Sequence, residues 1–216
     1  MISLLPLGDR AFVARFGTEP EAGRWASAVR TQGWPGIVDV VLAYQTAAVF
    51  ADPDQIDLDD LEARLRALTP ARGDQAARAL IRLPVLYDGE DLTEVARLKH
   101  LTEGEVIARH SGRDYDVFAV GFQPGFPYAG YLPEELSHLP RLESPRVRVP
   151  AGSVAIAGRQ TGVYPNASPG GWRLLGRTPL RIVDPGRGHF PIRAGDRLRF
   201  DPIDAEEFEK RRGAPL

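Results

Sequence analysis

The first eighty residues alternate between short apolar runs and segments whose apolar residues recur at helical spacing. Residues 2–16 alternate as a strand interrupted by a turn at Gly8-Asp9. The elements predicted after it are a helix over 19–31, strands over 37–43 and 47–51, a helix over 58–68 and a strand over 79–85. This order of strand, helix, strand, strand, helix and strand predicts an α+β, ferredoxin-like βαββαβ domain over residues 1–80.

Two of these boundaries have local signals. Thr18 is a predicted N-cap of the first helix, and Gly33 is predicted to end it. Aspartates at 57, 59 and 60 favour the N-terminus of the second helix. Residues 69–78 are polar and contain proline and glycine, which predicts a loop close to a domain boundary.

The remainder, residues 81–216, has the pattern of short strands separated by turns. Two short helices are predicted over 91–98 and 103–110, with Thr102 as a cap. The predicted strands cover 115–120, 147–149, 153–157, 180–183 and 197–200. Such a series predicts a mainly β domain that is a closed or partly closed barrel. The charged tail from Glu206 is predicted to fray.

The stretch from Gly121 to Pro179 combines many prolines and glycines with large aromatic residues. Proline and glycine exclude long helices, and aromatic side chains bury too much surface to be left on a flexible linker. We therefore expect a tightly turned β segment whose loops surround a concave surface. A β-rich core that needs many turns is the alternative.

Composition and charge narrow the classes of function that this chain can have. The net charge of −2 gives no indication of nucleic-acid or membrane binding, and the absence of cysteine excludes disulfides and thiolate metal sites. The N-terminus lacks the features of a signal peptide, and no apolar run reaches the length of a membrane helix. A cytoplasmic protein is expected.

Arginine supplies 25 of the 27 cations, because Lys99 and Lys210 are the only lysines. A GC-rich genome explains that bias, yet arginines near a pocket would suit carboxylates or phosphates.

Several kinds of catalytic site are missing from the sequence. It has no P-loop, no dinucleotide fingerprint and no G-x-S-x-G elbow. The four histidines stand far apart, so no metal site is predicted. A hydrolase that works alone is therefore poorly supported.

Linked motifs in the second half resemble one family, that of the 5-oxoprolinase B subunits, also called KipI or allophanate hydrolase subunit 1. The motifs are Gly121-Phe122-x-Pro124-Gly125-Phe126-Pro127-Tyr128, Pro145-Arg146-x-x-Val149-Pro150-Ala151-Gly152-Ser153, Gln160-Thr161-Gly162-x-Tyr164-Pro165, Ser168-Pro169-Gly170-Gly171-Trp172 and Gly176-Arg177-Thr178-Pro179. The resemblance covers the whole chain. It implies a ferredoxin-like N-terminal domain followed by a cyclophilin-like barrel.

The resemblance also implies an activity that this chain does not have alone. In that family the B subunit works with a C-type partner (KipA, or allophanate hydrolase subunit 2) and an A-type partner (LamB/YcsF) in the ATP-dependent opening of 5-oxoproline to L-glutamate. ATP with Mg belongs to the assembled complex and is not bound tightly by the isolated chain. Two alternatives remain open: a KipI-like inhibitor of a sensor histidine kinase, and the carboxyltransferase half of a urea carboxylase.

Arg146 and Arg177 are the candidate catalytic residues, because each is a cation inside a family motif. Arg159 and Arg173 are weaker candidates. For all four arginines the alternative is a salt bridge or a solvated position on the barrel. Candidate substrate-binding residues are Gly125, Phe126, Gly152, Ser153, Gln160, Thr161, Tyr164, Ser168, Gly170 and Trp172. For Gln160, Thr161 and Ser168 turn-capping is the alternative role, and for Tyr164 and Trp172 the alternative is core packing. His110 is interpreted as a cation at a helix end.

Overall fold

A computed structural model describes residues 2–70 and 79–216 of the chain. The chain divides into two compact units, Met1–Arg78 and Ala79–Leu216. The loop predicted over residues 69–78 lies, from residue 71 onward, outside the described residues, so that prediction is left open.

The first unit is a four-stranded antiparallel sheet with two helices. In chain order its elements are β1 (Ser3–Pro6), β2 (Ala11–Arg15), α1 (Glu19–Gln32), β3 (Ile37–Ala43), β4 (Thr46–Ala51) and α2 (Leu58–Ala67). The strands lie in the order β1-β2-β4-β3. The alternation of buried and exposed positions along β4 puts Ala47, Val49 and Ala51 inside and Phe50 outside, as expected for a sheet with one covered face.

The helix boundaries of the first unit follow their capping residues. Thr18 accepts a hydrogen bond from the backbone N–H of Glu21, whose carboxylate in turn accepts from the Thr18 N–H, so α1 begins with a capping box. Gly33 ends α1 in the left-handed conformation, at φ 60°. Asp57 caps α2 through the N–H of Asp60. The predictions for Thr18 and Gly33 are confirmed, and the predicted acidic residues do lie at the N-terminus of α2.

The second unit contains the remaining elements. These are β5 (Leu80–Val85), α3 (Leu92–Leu98), α4 (Glu103–Ser111), β6 (Tyr115–Val120), β7 (Pro127–Gly130), β8 (Arg146–Val149), β9 (Ser153–Ala157), β10 (Gln160–Val163), β11 (Ser168–Gly170), β12 (Arg173–Arg177), β13 (Arg197–Pro202) and α5 (Ala205–Arg211). Seven strands form one sheet in the order β12-β9-β10-β7-β6-β13-β5, and β8 pairs with β11 separately. The backbones of Leu86 and Arg177 exchange two hydrogen bonds of 2.9 Å, which join the two edges of that sheet. The sheet is therefore a nearly closed barrel.

The closure depends on a glycine. Gly176 lies where β12 meets the chain that follows β5, and a Cβ there would overlap the carbonyl oxygen of Leu86. Inside the barrel, the fully buried residues include Leu83, Val85 and Leu198, so β5 contributes to this core.

The βαββαβ order predicted for residues 1–80 is wrong at both ends, and the ferredoxin-like fold is not confirmed. Residues 2–16 form two strands, because Gly8 adopts φ 68° and lets the chain reverse between β1 and β2. The last predicted strand, β5, pairs in parallel with β13 in the second unit. The first unit is therefore ββαββα. A buried apolar strand fits either sheet, so its sequence does not choose the partner.

Two predictions for the second unit are also wrong. Residues 180–183 do not form a strand, and only Arg181 makes an isolated bridge, to Pro215. The tail does not fray at Glu206, because α5 is capped by Asp204 and buries Phe208.

The prediction that Thr102 caps α4 is confirmed, since this helix begins with a capping box. In the part of the chain that the structure describes, every helix is too short or too polar to span a bilayer.

Candidate functional site

A cleft of about 780 Å³ opens in the second unit beside the closure of the barrel. Its walls are the loop after β5, the turn between β8 and β9, the segment that follows β12, and α5. The lining includes Asp88, Glu90, Ser153, Arg177, Arg181 and Phe208. This volume lies within the range of small-molecule sites.

Arg177 is the predicted site residue that the cleft presents most directly. It ends β12, and its Nη2 and Nε donate to the Asp88 carboxylate at 2.8 and 3.0 Å. Its Cζ lies 4.5 Å from the centre of the Phe208 ring. The ion pair with Asp88 and the Phe208 ring together fix the plane of the guanidinium group. Even so, 46% of the Arg177 side chain is exposed. Two of its five N–H donors are used by Asp88, so the others can bind an anion.

Arg146 does not line the cleft. Its Nη2 donates to Asp91 at 2.7 Å and its Nε to Glu90 at 3.2 Å. The hydrogen bond to Asp91 raises the pKa of Arg146, with smaller contributions from the charges of Asp91 and Glu90. Its Nη1 is buried and has no hydrogen-bond partner among the residues described. The structure thus joins Arg146 to the cleft only indirectly. Its partner Glu90 lies on the wall, and its partner Asp91 accepts from the N–H of Leu174, which also lines the cleft.

Asp91 is a residue that the sequence analysis missed. It is almost fully buried, and while its Oδ1 accepts from Arg146, its Oδ2 accepts from the Leu174 N–H at 2.7 Å. One carboxylate therefore ties the start of α3 to β8 and to β12. An aspartate before a helix suggests an N-cap, but this side chain makes no capping bond. Asp88 and Phe208, which hold Arg177, were missed as well, because each is far from it in sequence.

The three glycines among the candidate substrate-binding residues lie in different surroundings. Gly152 adopts φ 82°, and a Cβ on it would lie 2.7 Å from the Thr178 carbonyl oxygen, beside the cleft. Gly125, at φ 85°, packs against Val183, which lines the cleft. Gly170 packs against the Tyr164 hydroxyl instead.

The aromatic candidates form a buried cluster. The ring of Phe126 lies 5.1 Å from Tyr164 and 5.3 Å from Trp172, in edge-to-face contacts. All three residues are buried, which fits the core-packing alternative for Tyr164 and Trp172. Phe122 packs on the edge of this cluster but is 62% exposed.

The polar candidates are divided between the surface and the interior. Ser153 is buried and lines the cleft. The Ser168 hydroxyl accepts a hydrogen bond from Gln123 at 3.2 Å, and Gln160 is half-buried on β10. Arg159 stacks on Tyr131 at 4.1 Å. Arg173, nearly buried, pairs with Glu94 at 2.5 Å, which fits the salt-bridge interpretation.

Thr161 belongs to a buried network around His110. The His110 Nε2 lies 2.8 Å from the Thr161 hydroxyl, and its Nδ1 lies 2.7 Å from the Tyr87 hydroxyl. The Thr161 hydroxyl donates to the Ala155 carbonyl oxygen, so it accepts from His110, which therefore carries its proton on Nε2. Burial lowers the pKa of His110 to about 3. Contrary to the sequence interpretation, His110 is a neutral core residue and not a cation at a helix end.

No cluster of three or more His, Asp or Glu side chains able to hold a metal occurs within residues 2–70 and 79–216. The lining of the cleft offers arginines, carboxylates, a serine and backbone groups. This arrangement suits the positioning of an anion or a polar carbonyl compound.

The comparisons with known proteins agree with one another. The model of the carboxyltransferase domain, subdomain C and D, matches residues 2–192. The B subunit of the Escherichia coli O157:H7 5-oxoprolinase is 42% identical over 183 residues, which cover 82% of this chain and 84% of that protein. The B subunit of the Bacillus subtilis (strain 168) 5-oxoprolinase is 36% identical over an alignment of 226 positions, and the match covers 94% of this chain and 93% of that protein.

Solved structures agree with this fold. The crystal structure of TTHA0988 superposes with a TM-score of 0.80 at 40% identity, covering 91% of this chain but 41% of that one. The Kluyveromyces lactis urea carboxylase superposes with a TM-score of 0.68 at 19% identity, covering 97% of this chain and 22% of that enzyme, which indicates a shared fold alone. Residues 2–192 match the family model, and two 5-oxoprolinase B subunits match most of the chain at 36% identity or more, so the chain belongs to the carboxyltransferase-domain family and, within it, to the family of 5-oxoprolinase B subunits.

Proposed function

We propose that this chain is the B subunit of an ATP-dependent 5-oxoprolinase that opens 5-oxoproline to L-glutamate. The observation that supports this most is the cleft around Arg177 in a chain of this family. The chain has no cysteine and no serine in a nucleophile elbow, so its contribution is expected to be positioning and charge stabilisation.

The chemistry of a lactam fits such a division of labour. A lactam carbonyl is a poor electrophile, and ATP with Mg supplies the phosphoryl group that activates it when bound in the complex. The part of this chain is to hold a negatively charged oxygen with Arg177, whose orientation is already fixed by Asp88 and Phe208.

The charges of the cleft are consistent with nucleotide binding only in the complex. Its three arginines each lie in an ion pair with a neighbouring carboxylate, and the pairs are Arg177–Asp88, Arg181–Asp184 and Arg212–Glu209. With these charges compensated and no P-loop present, the isolated chain has little to hold a free triphosphate. A C-type partner would close the cleft and exclude water, and an A-type partner would complete the enzyme.

Reconstitution tests the proposal. The purified chain alone should show neither 5-oxoproline-dependent ATP hydrolysis nor glutamate formation, and both should appear when the A-type and C-type partners are added. Robust turnover by the chain alone would contradict the division of labour. Partners of another kind would favour the alternatives: a sensor histidine kinase indicates inhibition, and a biotin carrier indicates carboxyl transfer.

Arg177→Lys in the reconstituted complex tests the role of the cleft. The change keeps the charge but loses the planar fork, so turnover should fall about tenfold or more, since a charge-assisted hydrogen bond contributes about 1.5–3 kcal/mol. Arg82→Lys is the matched control, because Arg82 makes the same two-pronged pair with Asp201, at 2.8 Å for both bonds, outside the cleft lining. If Arg177→Lys leaves turnover intact and lowers the melting temperature, Arg177 is structural.

A further inference from the structure

The first unit has a cleft of its own, of about 580 Å³. It lies between the end of β2, the start of α1 and the end of α2. Its lining includes Arg15, Phe16, Arg24, Trp25, Arg66 and Leu68. The volume is within the range of small-molecule sites, and none of these residues takes part in the Arg177 cleft.

The charge of this cleft differs from that of the cleft in the second unit. Its lining holds three arginines, at 15, 24 and 66, and one glutamate, Glu21, so its formal charge is 3 − 1 = +2. The lining of the other cleft holds three arginines and three carboxylates, which gives 3 − 3 = 0. In a chain whose net charge is −2, a positive concave surface favours an anionic ligand.

Two of the arginines have no partner among the described residues. Arg66 is held by the Glu62 carboxylate and by the Leu4 carbonyl oxygen, at 2.8 and 3.1 Å. By contrast, no hydrogen bond or ion pair joins the side chain of Arg15 or Arg24 to any other residue in the described part of the chain. Their donors are therefore open to a ligand, and the guanidinium fork matches carboxylate and phosphate oxygens.

The floor of the cleft is aromatic, and its tryptophan has an unsatisfied hydrogen-bond donor. Trp25 is fully buried and packs against Phe16, with ring centres 5.5 Å apart. The Trp25 Nε1 is buried and finds no hydrogen-bond partner within residues 2–70 and 79–216. A buried indole N–H normally has a partner, because leaving it unpaired destabilises the folded state. This observation is independent of the arginines and also indicates a ligand with an acceptor atom.

We propose that this cleft is a second binding site, for a small organic anion with an aromatic or other apolar body. Its carboxylate or phosphate binds Arg15 and Arg24, while the body packs on Phe16 and Trp25. The site lies in the first unit and does not depend on the proposed 5-oxoprolinase role.

Phenyl phosphate and benzoate are the probes, and the neutral benzyl alcohol is their control. Each is titrated into the full ¹⁵N-labelled chain while the indole N–H signal of Trp25 is followed by NMR. One or both anions should move that signal saturably, and benzyl alcohol at the same concentrations should not. Comparing the two anions distinguishes a phosphate site from a carboxylate site.

Substitutions of Arg15 and Arg24 test whether these two arginines bind the probes. Arg15→Gln and Arg24→Gln should each raise the Kd of the better probe about tenfold, the loss expected for one charge-assisted hydrogen bond. Arg64→Gln is the matched control, because it removes one positive charge from α2 at a residue outside the lining. Its Kd should stay within about twofold, and the melting temperatures show that the variants fold. The proposal is overturned if neither anion gives a saturable shift, if benzyl alcohol binds as well, or if Arg64→Gln weakens binding as much as the other two.

Discussion

The buried His110 should make the stability of the protein depend on pH in a window where few other groups titrate. In the native state its pKa is about 3, because burial removes the hydration of the imidazolium. In the unfolded chain the value is about 6.5. Between these two values the unfolded state binds a proton that the native state does not. Stability is therefore full above pH 6.5 and is lost as the pH falls.

The size of the effect follows from linkage. Well below pH 6.5, one such histidine lowers the free energy of unfolding by about 1.4 kcal/mol for each pH unit of acidification. From pH 6.5 to pH 5 the expected loss is thus up to about 2 kcal/mol. The rings in contact with His110 are those of Phe200, Tyr87 and Tyr115. Burial raises the pKa values of the two tyrosines, so both stay neutral throughout. Carboxylates titrate mainly below this window.

Denaturant unfolding at four pH values between 6.5 and 5 measures how the free energy of unfolding depends on pH. His110→Gln keeps an amide donor for Thr161 but removes the titrating group, so its stability should depend on pH by about 2 kcal/mol less than that of the unchanged chain. His138→Gln, at an exposed histidine, is the control and should keep the original slope. NMR of the imidazole provides a direct check, because His110 should not titrate above pH 5. Equal slopes for His110→Gln and the unchanged chain, or a native pKa near 6.5, would refute the reasoning.

Two further substitutions test residues next to the Arg177 cleft through urea unfolding. Asp91→Asn should destabilise the second unit by about 3 kcal/mol, because it leaves Arg146 without its most buried carboxylate; a change below about 0.5 kcal/mol would show that the pair is not needed. Gly152→Ala should cost about 2 kcal/mol or more, since the residue has a positive φ and a Cβ would lie 2.7 Å from the Thr178 oxygen. Gly104→Ala is its control and should stabilise by about 0.5–1 kcal/mol, because Gly104 lies in α4 with open space around it.

Local signals in the sequence predicted local structure well. The capping residues Thr18 and Thr102 act in the structure as expected, because a cap involves only residues within one turn. The strands at 115–120 and 153–157 were found for a similar reason, since β-branched residues between turn residues favour a strand in either kind of sheet. The failure at 180–183 shows the limit: an apolar run becomes a strand only if a neighbouring strand is available to pair with it.

The candidate site was predictable in part. Arg177 and Ser153 belong to recognisable motifs, and both line the cleft. Their partners were not predictable, because Asp88 is 89 positions from Arg177 and meets it only after the barrel closes. Nothing in the sequence distinguishes an aspartate that orients an arginine from one on a solvated surface.

The sequence by itself determined the family, the existence of most helices and strands, and the absence of cysteine chemistry, because these depend on residue identity and local backbone preference. Only the tertiary structure decided which sheet β5 joins, that Thr161 and His110 face each other in the core, and that Arg177 lies on Phe208. It also brought Arg15, Arg24 and Trp25 around one cleft. Such facts come from contacts between distant segments, and their energies depend on burial and mutual orientation, which a one-dimensional pattern does not contain.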